Sequence, residues 1–233
     1  MIHEYTTCYI AFLDILGFKN LIDTKSCEEI HNIFTTKMKK PLSGFSIGTK
    51  PIVDMEDIKI KVMSDSICFY IDCKRRNALV GLIATCAYFQ IELLRMHEPI
   101  LSRGAIVKGD LYAEDHIVFG PGFVKAYLME EHSAKFPRII VTKSTLEDAW
   151  DKTDEDITGY IPRYVFCDFD EFYAIDYLEL FEGFDTHGED CHRLLKHINS
   201  VLGMTTDSSV REKYLYLKKN LLRWYKPEVK TNV

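Results

Sequence analysis

No run of apolar residues in this sequence approaches the roughly 18 to 20 needed to cross a bilayer. No two cysteines have the C-x-x-C spacing of a redox or zinc motif, and internal repeats and low-complexity stretches are absent. A basic excess is missing too. The net charge is −6, which offers no overall attraction to nucleic acid or to an anionic membrane surface. A local basic pocket is compatible with that charge, so it argues against a large polyanion surface and not against a nucleotide. The seven cysteines, at positions 8, 27, 68, 73, 86, 167 and 191, are scattered and odd in number, which suits a reducing compartment better than a disulfide scaffold. The opening "MIHEYTTCYIAF" lacks the basic stretch and small-residue cleavage site of a secretory signal. The expectation is a cytoplasmic protein with no membrane or nucleic-acid partner.

What is present is ordinary globular material: 233 residues, 47% apolar and 27% charged, ample for a core. Residues 6–14 read as a strand, and helical spacing over 19–40 puts Ile30, Ile33, Phe34 and Met38 on one face. "PLSGFSIGTKP" is a loop, and "IKIKVMSDSICFYIDC" reads as a hairpin turning at Ser64-Asp65. A helix over 77–97 carries a stripe of Leu79, Ile83, Cys86, Leu93 and Leu94, stopped by Pro99. "ILSRGAIVKGDLYAEDHIVFG" supplies two strands, and "PGFVKAYLMEEHSA" a helix opened by Pro121. A short strand, "PRIIVTK", precedes a helix with a capping-box signature, Ser144 to Glu147. "YVFCDFDEFYAIDYL" reads as a second hairpin, with solvated carboxylates in its turn. Two more helices follow, one closed by Gly203, the other opened by Ser209 with Glu212. Its Val210, Tyr214, Leu217 and Leu221 form a packing stripe, for the core or for a dimer partner. The order predicts an α+β or α/β sandwich, residues 1–183, with a C-terminal helical extension, 184–233.

Asp14 is the oddity. In "YIAFLDILG" seven of nine residues are apolar, yet a carboxylate sits inside the run, and burying it costs several kcal/mol unless a cation compensates. Asp65 lies in the turn of the next hairpin. If the two strands are neighbours, both carboxylates converge at one sheet edge, as a Mg²⁺ or Mn²⁺ site with one or two protein carboxylates requires. The backbone at Gly17 and Phe18, between them, is open to a phosphate. The competing readings are a helix cap or lysine pair for Asp14, and a plain turn residue for Asp65. His187, Cys191, His192 and His197 match no zinc-ligand spacing.

"FLDILGF", "KVMSDSI", "SRGAIVKG" and "FGPGFVKAYLMEE" resemble, in order and approximate spacing, the motifs of class III nucleotidyl cyclases, over about residues 6–180. "MSDS" and "RGAI" are most similar to the bacterial pyrimidine cyclases of the Pycsar antiphage system. The resemblance implies an α+β βαββαβ sandwich with a central, mainly antiparallel sheet. It implies a metal-dependent cyclase that closes UTP, favoured over CTP, to the 3′,5′-cyclic monophosphate and pyrophosphate, a messenger for a separate effector in antiphage defence. Asp14 and Asp65 would hold two Mn²⁺ or Mg²⁺ ions with the Ile15 carbonyl. Gly17 and Phe18 would face the triphosphate, Arg103 would contact it, and Lys61 falls on the base-reading position. The site would be shared between the subunits of a homodimer. Some positions depart from the pattern: the base-reading Asp or Thr is Ile117, and the helix Asn and Arg fall on Val124 and Leu128. These departures keep two alternatives open: an adenylate or guanylate cyclase with an atypical pocket, and an inactive nucleotide-binding pseudo-cyclase.

Overall fold

The computed structural model describes residues 3–39, 46–47, 50–51, 53–150, 153, 164–185 and 187–225. The chain is α+β. It begins with strand β1 (Thr6–Ile15), helices α1 (Phe18–Thr24) and α2 (Cys27–Lys39), and the two-residue strands β2 (Ser46–Ile47) and β3 (Lys50–Pro51). The hairpin β4 (Lys59–Met63) and β5 (Ser66–Asp72) follows, then α3 (Ala78–Leu94), β6 (Ser102–Glu114), β7 (Ile117–Phe119) and α4 (Pro121–Ser133). Then come β8 (Ile139–Val141), α5 (Lys143–Trp150), β9 (Val165–Cys167) and β10 (Tyr173–Ile175). Three helices close the chain: α6 (Tyr177–Phe184), α7 (Glu189–Met204) and α8 (Ser208–Trp224).

The main sheet runs β4-β5-β1-β6-β8-β10-β9, with β7 folded back on β6. Its pairings are antiparallel except β6 with β8. Alternation along β1 divides the core, because successive side chains leave a strand on opposite faces. Tyr9, Ala11, Leu13 and Ile15 share one cluster with Ile67, Phe69 and Ile71, covered by α3 and the C-terminal helices. Cys8, Ile10 and Phe12 join Cys68, Val107 and Leu111 on the other face, under α4 through Ala126. Asp14 has the parity of that second face. There α4 lies almost against β6: a Cβ on Gly109 would stand 2.5 Å from the Gly122 Cα, an approach only a glycine pair allows.

Several boundaries differ from the sequence reading, each for a local reason. The helix expected over 19–40 breaks at Lys25-Ser26, because Ser26 and Glu29 form a capping box, the Ser26 N–H donating to Glu29 at 2.8 Å and the Glu29 N–H to Ser26 Oγ at 3.3 Å. Ile33 is buried and Phe34 half-buried, as the predicted face requires; the Met38 side chain lies outside the described residues. Helix α3 ends at Leu94, and instead of a stripe it is buried on nearly every side, only Ala84 and Tyr88 being half-exposed. Cap positions shift by two residues: Thr142 Oγ1 accepts the Thr145 N–H at 3.3 Å ahead of α5, and Asp207 accepts the Val210 N–H at 3.0 Å ahead of α8. Gly203 sits inside α7, which runs on to Met204. The second hairpin stops at Ile175, and Tyr177 opens the unforeseen α6.

Two carboxylates of that turn, Asp168 and Asp170, are paired rather than free in solvent, while Phe169 and Glu171 are exposed. Arg138, 1% exposed, reaches Asp168 and Asp170 with its two terminal nitrogens, and Tyr216 on α8 donates to Asp168 at 2.5 Å. Phe181, Cys191, Leu194, Ile198, Leu217 and Leu221 bring α6, α7 and α8 into the same core as the sheet.

Candidate active site

The register of β1 builds the site. Asp14 pairs with Ser66 on β5 and with Arg103 on β6, so Ser66, Asp14 and Arg103 form a row across three strands. Ser64, at φ 60, makes the tight turn that returns the chain from β4 into β5. The Ile15 N–H donates to the Asp65 carbonyl at 3.0 Å, which ties the two acidic segments together at one sheet edge.

Arg103 Nε lies 3.3 Å from Asp14 Oδ2 and 2.7 Å from Glu130 Oε1. The second is an ion pair by distance, but its angle is too poor for a hydrogen bond, and that Glu130 oxygen is without a hydrogen-bond donor. Burial comes first in setting the acidities: it pushes the Asp14 carboxyl above its ordinary value, Arg103 opposes the rise and Asp65 adds to it. Burial likewise pushes Glu130 up to about 7, with Arg103 opposing and Asp14 contributing. Two carboxylates, Asp14 and Glu130, thus share one guanidinium, and Asp65 has neither a hydrogen bond nor an ion pair through its carboxylate among the described residues.

That donor set fits a hard divalent cation. Among the described residues no group of three or more His, Cys, Asp or Glu is placed to hold a metal. A pair of carboxylates is nonetheless what a magnesium-like ion takes when waters and substrate phosphates complete its shell. The excess negative charge at Asp14 and Asp65 is of the right sign.

The other candidate residues fall in three places. Ile15 is buried and Phe18 turns its ring into the core, 6.0 Å from that of Phe34, so both offer the edge only their backbones. Gly17, at φ 76, has nothing within 4 Å of the place a Cβ would take, which leaves its surroundings open. Lys61 lies in the row of Cys68 and Phe12, one step behind Asp14 on the same face, roughly 12 Å away on sheet spacings. Its ammonium donates to the Asp115 carbonyl in the β6–β7 turn, beside Ile117, which is 54% exposed. The structure therefore brings Asp14, Asp65 and Arg103 together and groups Lys61 with Ile117. Val124 and Leu128 lie on the outer surface of α4.

Sequence reasoning missed Glu130 as a member of the cluster. Its signal was present, four residues after the buried Ala126 and so on the inward face of α4.

No protein-family model matches the chain, and no curated protein is similar to it in sequence. Solved structures are similar in fold. The guanylate cyclase domain of RhGC from Catenaria anguillulae, in complex with GTP, is 15% identical with a TM-score of 0.48, over 64% of this chain and 84% of that one. The monomeric guanylyl cyclase domain of the RhoGC fusion protein from the aquatic fungus Blastocladiella emersonii is 13% identical, TM-score 0.49, over 74% and 95%. An adenylate/guanylate cyclase/hydrolase from Silicibacter pomeroyi is 19% identical, TM-score 0.46, over 66% and 86%. Among the described residues no helix is long and apolar enough to cross a membrane.

Proposed function

We propose that this chain is a metal-dependent nucleotidyl cyclase that closes a pyrimidine nucleoside triphosphate, UTP before CTP, to its 3′,5′-cyclic monophosphate with release of pyrophosphate. The observation that carries the reading is the meeting of Asp14 and Asp65 at one sheet edge, their backbones joined by the 3.0 Å Ile15–Asp65 bond, with Arg103 beside them. Residues 1–183 would be the catalytic unit and 184–233 its helical extension.

Bound there, Mn²⁺ or Mg²⁺ would lower the pKa of the ribose 3′-hydroxyl and balance triphosphate charge. Asp14 and Asp65 would hold the cations, with the Ile15 carbonyl as a further oxygen. Arg103 is held through Nε by Asp14 and Glu130 and through a terminal nitrogen by the Ala134 carbonyl at 3.5 Å, and its other N–H groups would be left for phosphate oxygens. The backbone at Gly17 leaves room for the phosphate chain. The contribution of the protein is positioning and fixed charge. The Ile117 side chain offers no hydrogen bond to a purine edge, which argues against the standard purine pocket.

The site is completed by a second copy in this reading. Large exposed apolar side chains concentrate on β7 and α4, with Ile117, Phe119, Val124, Tyr127 and Leu128 between 41% and 54% exposed, a surface suited to burial against another subunit. The cyclic product would act on a separate effector in antiphage defence.

The test incubates the purified protein with UTP, CTP, ATP and GTP separately, plus Mn²⁺, and looks for cyclic nucleotide by mass spectrometry. Cyclic UMP or CMP is expected. Product from ATP or GTP alone replaces the pyrimidine assignment with a purine one. A second reading, a nucleotide-binding pseudo-cyclase, draws on Val124 and Leu128, apolar where the cyclase pattern has Asn and Arg; tight nucleotide binding with no pyrophosphate released would favour it.

A further inference from the structure

Behind the turn at Gly17 lies a cavity of about 660 Å³, within the roughly 300–1,000 Å³ of small-molecule sites. Leu16, Gly17 and Asn20 line one side of it. The C-terminal helices line another, through His197 of α7 and Lys213 and Tyr214 of α8. The extension of the fold is therefore a wall of a cavity that begins at Leu16, the residue after Ile15.

Two lysines reach this space, and they differ. Lys25 is paired with Glu98 at 2.8 Å. Lys213 has no carboxylate partner among the described residues; its ammonium donates to Ser209 Oγ at 2.9 Å, one turn back on α8. A hydroxyl satisfies one N–H and cancels no charge. The position is also fixed. Lys213 stands three and four residues before Tyr216 and Leu217, both buried, so it lies on the inward side of the helix. Tyr216 is held by Asp168 at 2.5 Å, and the helix start by Asp207.

An uncompensated, helix-anchored ammonium facing an open cavity beside a carboxylate pair has one natural complement, a polyanion that the cations at Asp14 and Asp65 would also hold. We propose that Lys213 is a substrate-binding residue, which takes the terminal phosphates of the triphosphate from the C-terminal helices of the same chain. The identity of the nucleotide rests on the cyclase reading; the polyphosphate site rests on the cavity and Lys213.

The test measures inorganic tripolyphosphate binding by calorimetry, with Mg²⁺ present, in the full-length protein and in Lys213→Ala, Lys213→Arg and Lys196→Ala. Lys196 is an exposed cation on α7 and controls for net charge. Lys213→Ala should weaken tripolyphosphate binding about tenfold, Lys213→Arg should restore most of it, and Lys196→Ala should change it less than twofold. With the nucleotide that is turned over, Lys213→Ala should raise KM more than it lowers kcat, the mark of binding lost from ground and transition states alike. Weakened tripolyphosphate binding in a protein that cyclises no nucleotide keeps the site and removes the cyclase. Wild-type turnover with tripolyphosphate affinity and KM unmoved by Lys213→Ala keeps the cyclase and removes the site. No tripolyphosphate binding by the wild type also overturns the proposal.

Discussion

Replacing Arg138 by methionine tests how the C-terminal helices are fastened to the sheet. The guanidinium is 1% exposed and pairs with Asp168, whose side chain is 8% exposed, and with Asp170 at 28%. It also lies 5.5 to 5.9 Å from the ring centres of Phe136, Tyr216 and Phe169. Removing one partner of a buried pair costs about 3–5 kcal/mol, because the other is left charged and dry. Asp168 meets that condition, while Asp170 is exposed enough to rehydrate, so the lower end of the range, about 3 kcal/mol, is expected. For a chain of this length that corresponds to a Tm lower by about 6–12 °C. The assay is urea and thermal unfolding followed by circular dichroism. The double variant Arg138→Met, Asp168→Asn should recover at least half the loss, since it removes the stranded charge as well. Acid adds an independent check. Burial alone would raise the Asp170 carboxyl, but the Arg138 hydrogen bond and charge reverse this and leave it below its ordinary value. Its contribution is therefore present above the unfolded carboxylate pKa and lost as pH falls through the lower folded value. Arg138→Met should lose less stability than the wild type between pH 5 and the acid limit of folding. A loss under about 1 kcal/mol at neutral pH, or no recovery in the double variant, would refute the reasoning.

Three other outcomes are expected. Glu130, raised by burial from 4.5 to about 7, favours the fold while protonated, so in metal-free protein its stabilisation is lost as pH rises from about 4.5 through 7; a shift of this size is worth about 3 kcal/mol, and Glu130→Gln should flatten that part of the urea midpoint–pH curve, with an unchanged curve counting against the assignment. Asp14→Asn and Asp65→Asn should each lower turnover by about 100-fold or more and abolish any rise in Tm caused by Mn²⁺. Because burial already disfavours the Asp14 charge, Asp14→Asn should leave the metal-free Tm unchanged or higher, and wild-type turnover in either variant would remove the metal reading. Leu128→Glu, on the exposed side of α4, should shift sedimentation from dimer to monomer and lower activity in step; a monomeric wild type that is fully active would rule out the shared site.

The four motifs placed β1, the Ser64-Asp65 turn, β6 and α4 correctly because each rests on local chemistry: alternation, a tight turn, a proline at a helix start. Local chemistry also explains the misplaced caps, since Ser144 and Ser209 carry the same signature as the groups that do the capping, Thr142 and Asp207. The burial of α3 on nearly every side was not legible, because it depends on α6 covering what a stripe would leave open. By itself the sequence determined that Asp14 needs compensation and that Asp65 sits where a hairpin turns. Only the tertiary structure decided that β5 lies beside β1, so that the two acids meet. The same holds for Glu130 sharing Arg103 with Asp14, for Arg138 drying Asp168, and for Lys213, 196 positions after Gly17 in the chain, lining the same cavity. Charges interact through space, and the distances between elements far apart in the chain come from packing, which no local pattern encodes.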